Sequence, residues 1–89
     1  MNLSYARMAT AEVLEIDGET LILNPDTFAV TKLNETAGRI WEMLEERPSV
    51  DQLTERVSSE FAGADRQSVR QDIVQFLGRL EEIGLVRRG

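Results

Sequence analysis

The side chains best suited to acid–base or metal chemistry in this 89-residue sequence are plentiful but of one kind: sixteen aspartates and glutamates, with no histidine and no cysteine. The missing types remove the commonest general base, the most reactive nucleophile and every thiolate metal site. The carboxylates Glu12, Glu15, Asp17, Glu19, Glu42, Glu45 and Glu46 are strung over turns and solvent faces. None sits in the tight glycine turn with alternating ligands that a calcium loop requires. No G-x-S-x-G elbow, phosphate-cradling loop or dinucleotide-binding glycine run occurs. The expectation is a protein that is not an enzyme and carries no cofactor and no metal.

The chemistry that remains is hydrogen bonding by the main chain, and Thr27–Trp41 (TFAVTKLNETAGRIW) is the stretch arranged to offer it. Aromatic and β-branched residues make Thr27–Leu33 a strand, with Thr31 and Lys32 keeping part of it wet. Asn34 is placed to cap a helix, and Glu35 suits the positive end of its dipole. Ala37, Ile40, Trp41 and Leu44 recur at helical spacing and give that helix an apolar side. The strand therefore runs straight into the helix that anchors it.

The other elements must position this stretch. Ala11–Ile16 reads as a strand with Leu14 and Ile16 on one face and Val13 on the other. Asp17-Gly18 is a strong hairpin signal, because a type I′ turn needs positive φ at both central residues. Glu19–Leu23 is the return strand, and Asn24-Pro25-Asp26 turns the chain into the third. The first helix spans about Glu35 to Glu46. Gly38 inside it costs roughly 1 kcal/mol against alanine, which points to close approach of another backbone. Ser49 with Gln52 three residues on forms a capping box for a second helix, whose stripe is Leu53, Val57 and Phe61. Gly63 ends it in a left-handed residue. The third helix spans about Arg66 to Ile83, capped by Asp65 or Ser68, with Val69, Ile73, Phe76, Leu80 and Ile83 as its core stripe. Gly84 stops it, and Leu85 folds back in a Schellman ending. Val74 and Leu77 lie to one side of that stripe with Arg70 and Glu81. They either widen the core or line a groove beside the sheet.

Length and composition describe one α+β domain, 42% hydrophobic and 29% charged. A chain this short has a small core. Residues 1–10 read as a flexible N-terminus and 11–89 as the folded domain. No apolar run approaches the ~20 residues of a membrane span. The expected setting is the cytoplasm, with no membrane partner. Net charge is −6. That is opposite to the basic footprint of a nucleic-acid binder.

Taken in order, the L-x-L strand, the N-P-D turn, a third strand ending in Leu33-Asn34, the helix E-T-A-G-R-I-W-E-M-L, the short S-V-D-Q-L helix and the ending D-I-V-Q-F-L-G-R-L-E-E-I-G-L-V resemble the PqqD family. These are small peptide-chaperone modules also called RiPP recognition elements, and the similarity is greatest to the discrete forms of lasso-peptide pathways. It covers roughly Val13 to Val86. The resemblance implies a winged helix-turn-helix, three antiparallel strands followed by three helices. It also implies binding of a precursor leader peptide as a further strand on the third strand, and delivery to a leader peptidase or other peptide-modifying enzyme. Carried over by position, the peptide-binding residues are Phe28, Ala29, Val30, Thr31 and Lys32 of the strand and Arg70, Ile73, Val74 and Leu77 of the third helix. Arg70 would pair with an acidic leader residue, and Val74 and Leu77 would seat an apolar one. The sequence lacks the glycine-aromatic turn that many relatives carry before the third strand. The alternatives are a winged-helix DNA-binding domain, and a structural adaptor that self-associates through the same edge. A monomer without nucleic acid is the expected state.

Overall fold

The computed structural model describes residues 4–60, 63 and 65–88. Among these residues five strands and three helices follow in the order β1 Tyr5–Arg7, β2 Glu12–Ile16, β3 Glu19–Leu23, β4 Val30–Leu33, α1 Glu35–Met43, α2 Val50–Glu60, α3 Arg66–Glu82 and β5 Val86–Arg88. The α+β class and the three-stranded antiparallel sheet followed by three helices are as expected. The sheet order is β2-β3-β4, so both outer strands have an unpaired edge among the described residues.

Local chemistry explains most boundaries. Asp17 and Gly18 both have positive φ, 54° and 79°. The β2–β3 hairpin turn requires this of both. The Asn34 side chain accepts from the Ala37 N–H at 2.8 Å. This contact satisfies an otherwise free donor in the first turn and opens α1. Helix α1 gives way to a 3₁₀ turn over Leu44–Glu46, which ends on Arg47 at φ 54°. Such tighter turns are common at helix ends. Ser49 and Gln52 form the reciprocal capping box at 2.9 and 3.1 Å. Asp65, rather than Ser68, caps α3. At its other end Leu85 N–H donates to Leu80 C=O at 2.8 Å and Gly84 N–H to Glu81 C=O at 3.1 Å. Gly84 itself has φ 77°. Together these make the Schellman pattern.

The core lies between the inner sheet face and the helices: Ile22 and Leu33 from the sheet, Ile40, Trp41, Met43 and Leu44, Leu53 and Val57 from α2, and Val69, Ile73, Leu77 and Leu80 from α3. Phe61, expected on the α2 stripe, lies outside the described residues. Gly38 has open space where a Cβ would sit, so no second backbone approaches it.

Three further expectations change. The terminus expected to be flexible through Thr10 instead contributes β1, paired in antiparallel register with β5, and Tyr5 is buried. Arg7 continues this tie: its guanidinium lies 5.6 Å from the Trp41 ring centroid and donates to the Trp41 carbonyl. A cation over an indole face is attracted by the ring quadrupole. The third strand is Val30–Leu33, shorter than Thr27–Leu33, because Thr27 and Phe28 belong to the preceding turn. On α3, Leu77 takes the fully buried place expected of Phe76, and Phe76 packs half-buried at the margin.

The turn before β4 is fastened by Asn24, which is buried. Its Oδ1 accepts from Asp26 N–H at 2.9 Å and its Nδ2 donates to the Ile83 carbonyl at 2.8 Å. Asn24→Ala should cost about 1–3 kcal/mol, because it leaves the partly buried Ile83 carbonyl without its donor. Urea denaturation measures this loss.

Surface ion pairs add a pH dependence. Hydrogen bonding from Arg70 holds the Asp51 carboxyl below its ordinary range, and Arg39 does the same for Glu60. Both groups have lower pKa values folded than unfolded. Their contribution is therefore present above the unfolded pKa of about 4 and is lost as pH falls through the folded values. The urea midpoint should hold from neutral pH to about pH 5 and then decline, and less so in Asp51→Asn.

Candidate functional site

Strand β4 is a short edge whose free side can be read from its ladder. Asn24 N–H donates to Ala29 C=O at 2.8 Å, which makes that pair a hydrogen-bonded one. Hydrogen-bonded and non-hydrogen-bonded pairs alternate in an antiparallel ladder. Leu23↔Val30 is then non-bonded, Ile22↔Thr31 bonded and Leu21↔Lys32 non-bonded. The main-chain groups of Thr31 point to β3. Those of Val30 and Lys32 point away from the sheet, giving two donors and two acceptors without a strand partner among the described residues.

Side chains alternate with the same register. Thr31 and Leu33 share the inner face with buried Ile22, whereas Val30 and Lys32 face outward with Leu23 and Leu21. This settles which side of the strand adjoins the helices. Lys32 pairs with Glu19 at 2.7 Å. The Ala29 N–H donates to Thr27 Oγ1. Phe28 has φ 61°, donates its N–H to the Asn24 carbonyl and leaves its ring 77% exposed. A bulky side chain in the left-handed region is uncommon and costs of order 1 kcal/mol or more.

Helix α3 has two flanks, and their surroundings differ. Arg66 and Arg70 pair with Glu55 and Asp51 on α2, and Glu81 pairs with Arg88 on β5. At about 100° per residue, Val74 falls within about 40° of both Arg70 and Glu81. That flank therefore faces α2 and β5. Asp72, Phe76 and Arg79 lie about 140–160° around the helix from Val74. They line a cleft of about 300 Å³ with Ile73, with Asn34, Ala37 and Ile40 at and after the start of α1, and with Val57 of α2, and no residue of β4 is in its lining. Asn34 follows β4 directly, and the Ile83 carbonyl is tied to Asn24 at the other end of the β3–β4 turn. The Phe76–Arg79–Ile83 flank thus lies between Asn34, the residue that follows β4, and the β3–β4 turn at Asn24.

The structure separates the residues read from sequence. Val30, Thr31 and Lys32 form the edge, with Ala29 and Phe28 in the turn at its mouth. Ile73 is buried at the floor of the cleft. Leu77 is 0% exposed and belongs to the core, so it is not a groove wall. Val74 is 50% exposed but on the far flank, and Arg70 is held by Asp51. Sequence reading did not find Asp72, Phe76 and Arg79 as a set. Their i, i+4, i+7 spacing marks one flank, but only the tertiary contacts say which flank adjoins the sheet. A larger hollow, about 600 Å³, opens between the β1–β5 ribbon and the 3₁₀ turn, and unlike the cleft on α3 it does not reach Asn34 at the end of β4.

A family model described as Coenzyme PQQ synthesis protein D (PqqD) matches residues 19–86. The chain belongs to the PqqD family, as a PqqD-like RiPP recognition element. Among solved structures it is similar to TbiB1 in complex with the TbiA(beta) leader peptide, with 26% identity and a TM-score of 0.79, over 92% of this chain and 94% of that one. A lasso peptide synthetase B1 complexed with the leader peptide shares the fold at 22% identity, with a TM-score of 0.78 over 93% and 96% of the two chains. No curated protein sequence matches. No helix among the described residues is long and apolar enough to cross a membrane.

The two positions offered as a groove wall separate cleanly in a substitution pair. Val74→Asp should leave the thermal midpoint within about 2 °C of the parent, as an exposed substitution does. Leu77→Asp should unfold the domain by burying an unpaired charge. Circular dichroism melts of the two variants give the comparison.

Proposed function

We propose that this protein binds the leader segment of a ribosomally made precursor peptide by antiparallel strand addition to β4, and holds it for a partner modifying enzyme or leader peptidase. The observation that carries this reading is an unpaired edge, with the main chain of Val30 and Lys32 turned outward, whose strand leads through Asn34 to the rim of the cleft on α3. Membership of the PqqD family and likeness to TbiB1 bound to a leader peptide support it.

In strand addition, main-chain hydrogen bonds give affinity and alternate side chains give specificity. The short β4 accepts a guest segment of about four to six residues. Its inward side chains meet Phe76, Ile73 and Ala37 and favour an apolar residue. Arg79 and Asp72 at the rim select an acidic or basic neighbour. Phe28 stands at the mouth as an apolar contact for the guest's other end. The other open edge, β2, has no such wall, because all five of its residues are exposed. Nucleic acid is a poorer guest: Arg66 and Arg70 are already paired with carboxylates. That leaves α3 little free positive charge for phosphates.

Titrating the labelled protein with the leader of a neighbouring precursor gene tests the reading. Amides of Val30 and Lys32 and the methyl-bearing residues beside Phe76 should shift at micromolar peptide. Lys32→Pro removes a guest-facing donor without removing a β3–β4 hydrogen bond, and should weaken binding tenfold or more. Lys32→Ala should stay near parental affinity. Absence of binding at tens of micromolar, or shifts confined to β2, overturns the proposal.

A further inference from the structure

The β1–β5 ribbon is continued on the far side of β1 by the chain that follows the 3₁₀ turn. Ser4 bridges Ser49, and the Tyr5 N–H donates to the Pro48 carbonyl at 3.1 Å. This antiparallel register brings Arg47 alongside Ala6, and Ala6 pairs with Arg87 on its other side. A row of Arg47, Ala6 and Arg87 results, with its smallest member in the middle. Tyr5 and Pro48 in the next row are buried, whereas Arg47 and Arg87 are exposed. This is the alternation of a strand with one face on the core. Two hollows flank the row, of about 600 and 440 Å³, and Ala6, Arg47 and Arg87 line both of them.

Neither arginine has a carboxylate partner among the described residues, in a chain with sixteen acids against ten cations. Their neighbours Arg7 and Arg88 are held by Glu45 and Glu81. Arg47 is also fixed at φ 54°, at the end of the 3₁₀ turn. Glycine is the usual residue in that conformation, so the cation is kept there against a backbone preference. We infer that Arg47 and Arg87 clamp an acidic peptide segment of another protein. One aspartate or glutamate of that segment sits over Ala6, and an apolar neighbour enters the larger hollow.

Guanidinium forks match carboxylate and phosphate alike, and the surroundings choose between them. Leu44 and Val86 are buried yet line the larger hollow, with Met8 beside them. Glu45 stands in the same wall. A phosphate chain would bring repeated charge past Glu45 and leave the apolar lining unused. A peptide places one carboxylate between the arginines and an aliphatic side chain against Leu44 and Val86. The acidic hairpin tip of a second copy, at Glu15 and Asp17, is a poorer occupant. It would draw together two molecules that each carry a net charge of −6 and repel one another. The clamp shares no residue with β4 or with the cleft on α3, so the inference stands apart from strand addition.

The test titrates labelled protein with a blocked hexapeptide of alternating glutamate and leucine, with its lysine twin and with inorganic phosphate. The glutamate peptide should shift the amides of Ala6, Arg47 and Arg87 at submillimolar concentration. Binding should weaken as salt is raised, because exposed ion pairs are screened. The lysine twin and phosphate should leave those amides in place. Arg47→Gly removes the guanidinium and the unfavourable φ together. It should weaken peptide binding at least threefold while the melting temperature holds or rises. Arg87→Gln should weaken binding to a similar extent with an unchanged melt, and the two substitutions together should abolish the shifts. Peptide affinity indifferent to both substitutions overturns the inference. Equal shifts with phosphate do so too, because the pair would then be a general anion site. So does self-association in sedimentation that Glu15→Lys with Asp17→Lys dissolves, because a second copy would then occupy the hollow.

Discussion

One buried side chain sets where the strand edge lies relative to the helix beside it. Asn24 ends β3, and its amide reaches the Ile83 carbonyl across 59 residues of sequence. Its other polar groups are also engaged: Oδ1 by Asp26, the main-chain N–H by Ala29 and the carbonyl by Phe28. Buried polar groups satisfied on every side act as a rigid joint, and losing one partner costs more than the average hydrogen bond is worth. Gly84 completes the joint. It supplies the left-handed residue of the Schellman ending, and a Cβ there would stand 3.0 Å from the Asn24 amide nitrogen. Glycine is required here twice, by φ and by proximity.

This joint decides which flank of α3 meets the β3–β4 turn. A long amphipathic helix can roll about its axis by tens of degrees and still bury a stripe. Two sets of constraints stop it. On one side Arg66, Arg70 and Glu81 reach partners on α2 and β5. On the other, the Ile83 carbonyl is tied to the β3–β4 turn. With the roll set, Leu77 points into the core, and Phe76 stands at the margin between core and cleft. The surface pairs are individually weak in water, so they orient the helix more than they stabilise it. The chain then leaves α3 through buried Leu85 into β5, which captures β1 and closes Tyr5 over the same core.

Features encoded within a few residues are legible in the sequence, and features encoded across the chain are not. The Asp17-Gly18 turn, the Asn34 cap, the Ser49–Gln52 box and the Gly84 ending each follow from local stereochemistry, and each forms. The β1–β5 ribbon escapes such a reading because three residues of weak pattern pair with a segment at the opposite end of the chain, and nothing local marks either as a strand. Phe28 reads as strand because aromatic residues favour strands. The turn closed by Asn24 outweighs that preference and puts Phe28 at positive φ. Arg70, Val74 and Leu77 group together in sequence because they lie beside the main stripe. A helical wheel shows that residues share a flank, but not what the flank faces, and here Asn24 and the α2 carboxylates make that choice.

On the strand-addition reading, magnitudes say where discrimination among guests must lie. The outward main-chain groups on Val30 and Lys32, at about 0.5–1.5 kcal/mol net each, supply about 2–6 kcal/mol. Bringing two molecules together and ordering an extended peptide costs an amount of that size or more. The edge alone therefore at best breaks even, and it does so equally for any sequence without proline. The surplus comes from side chains that alternate into the cleft. One aliphatic residue buried against Phe76 and Ile73 contributes about 1.5–3 kcal/mol, roughly ten- to a hundredfold in affinity. A charge opposite Arg79 or Asp72 adds less because those groups remain wet. The backbone of β4 admits a strand, and the margin of α3 decides which strand is kept.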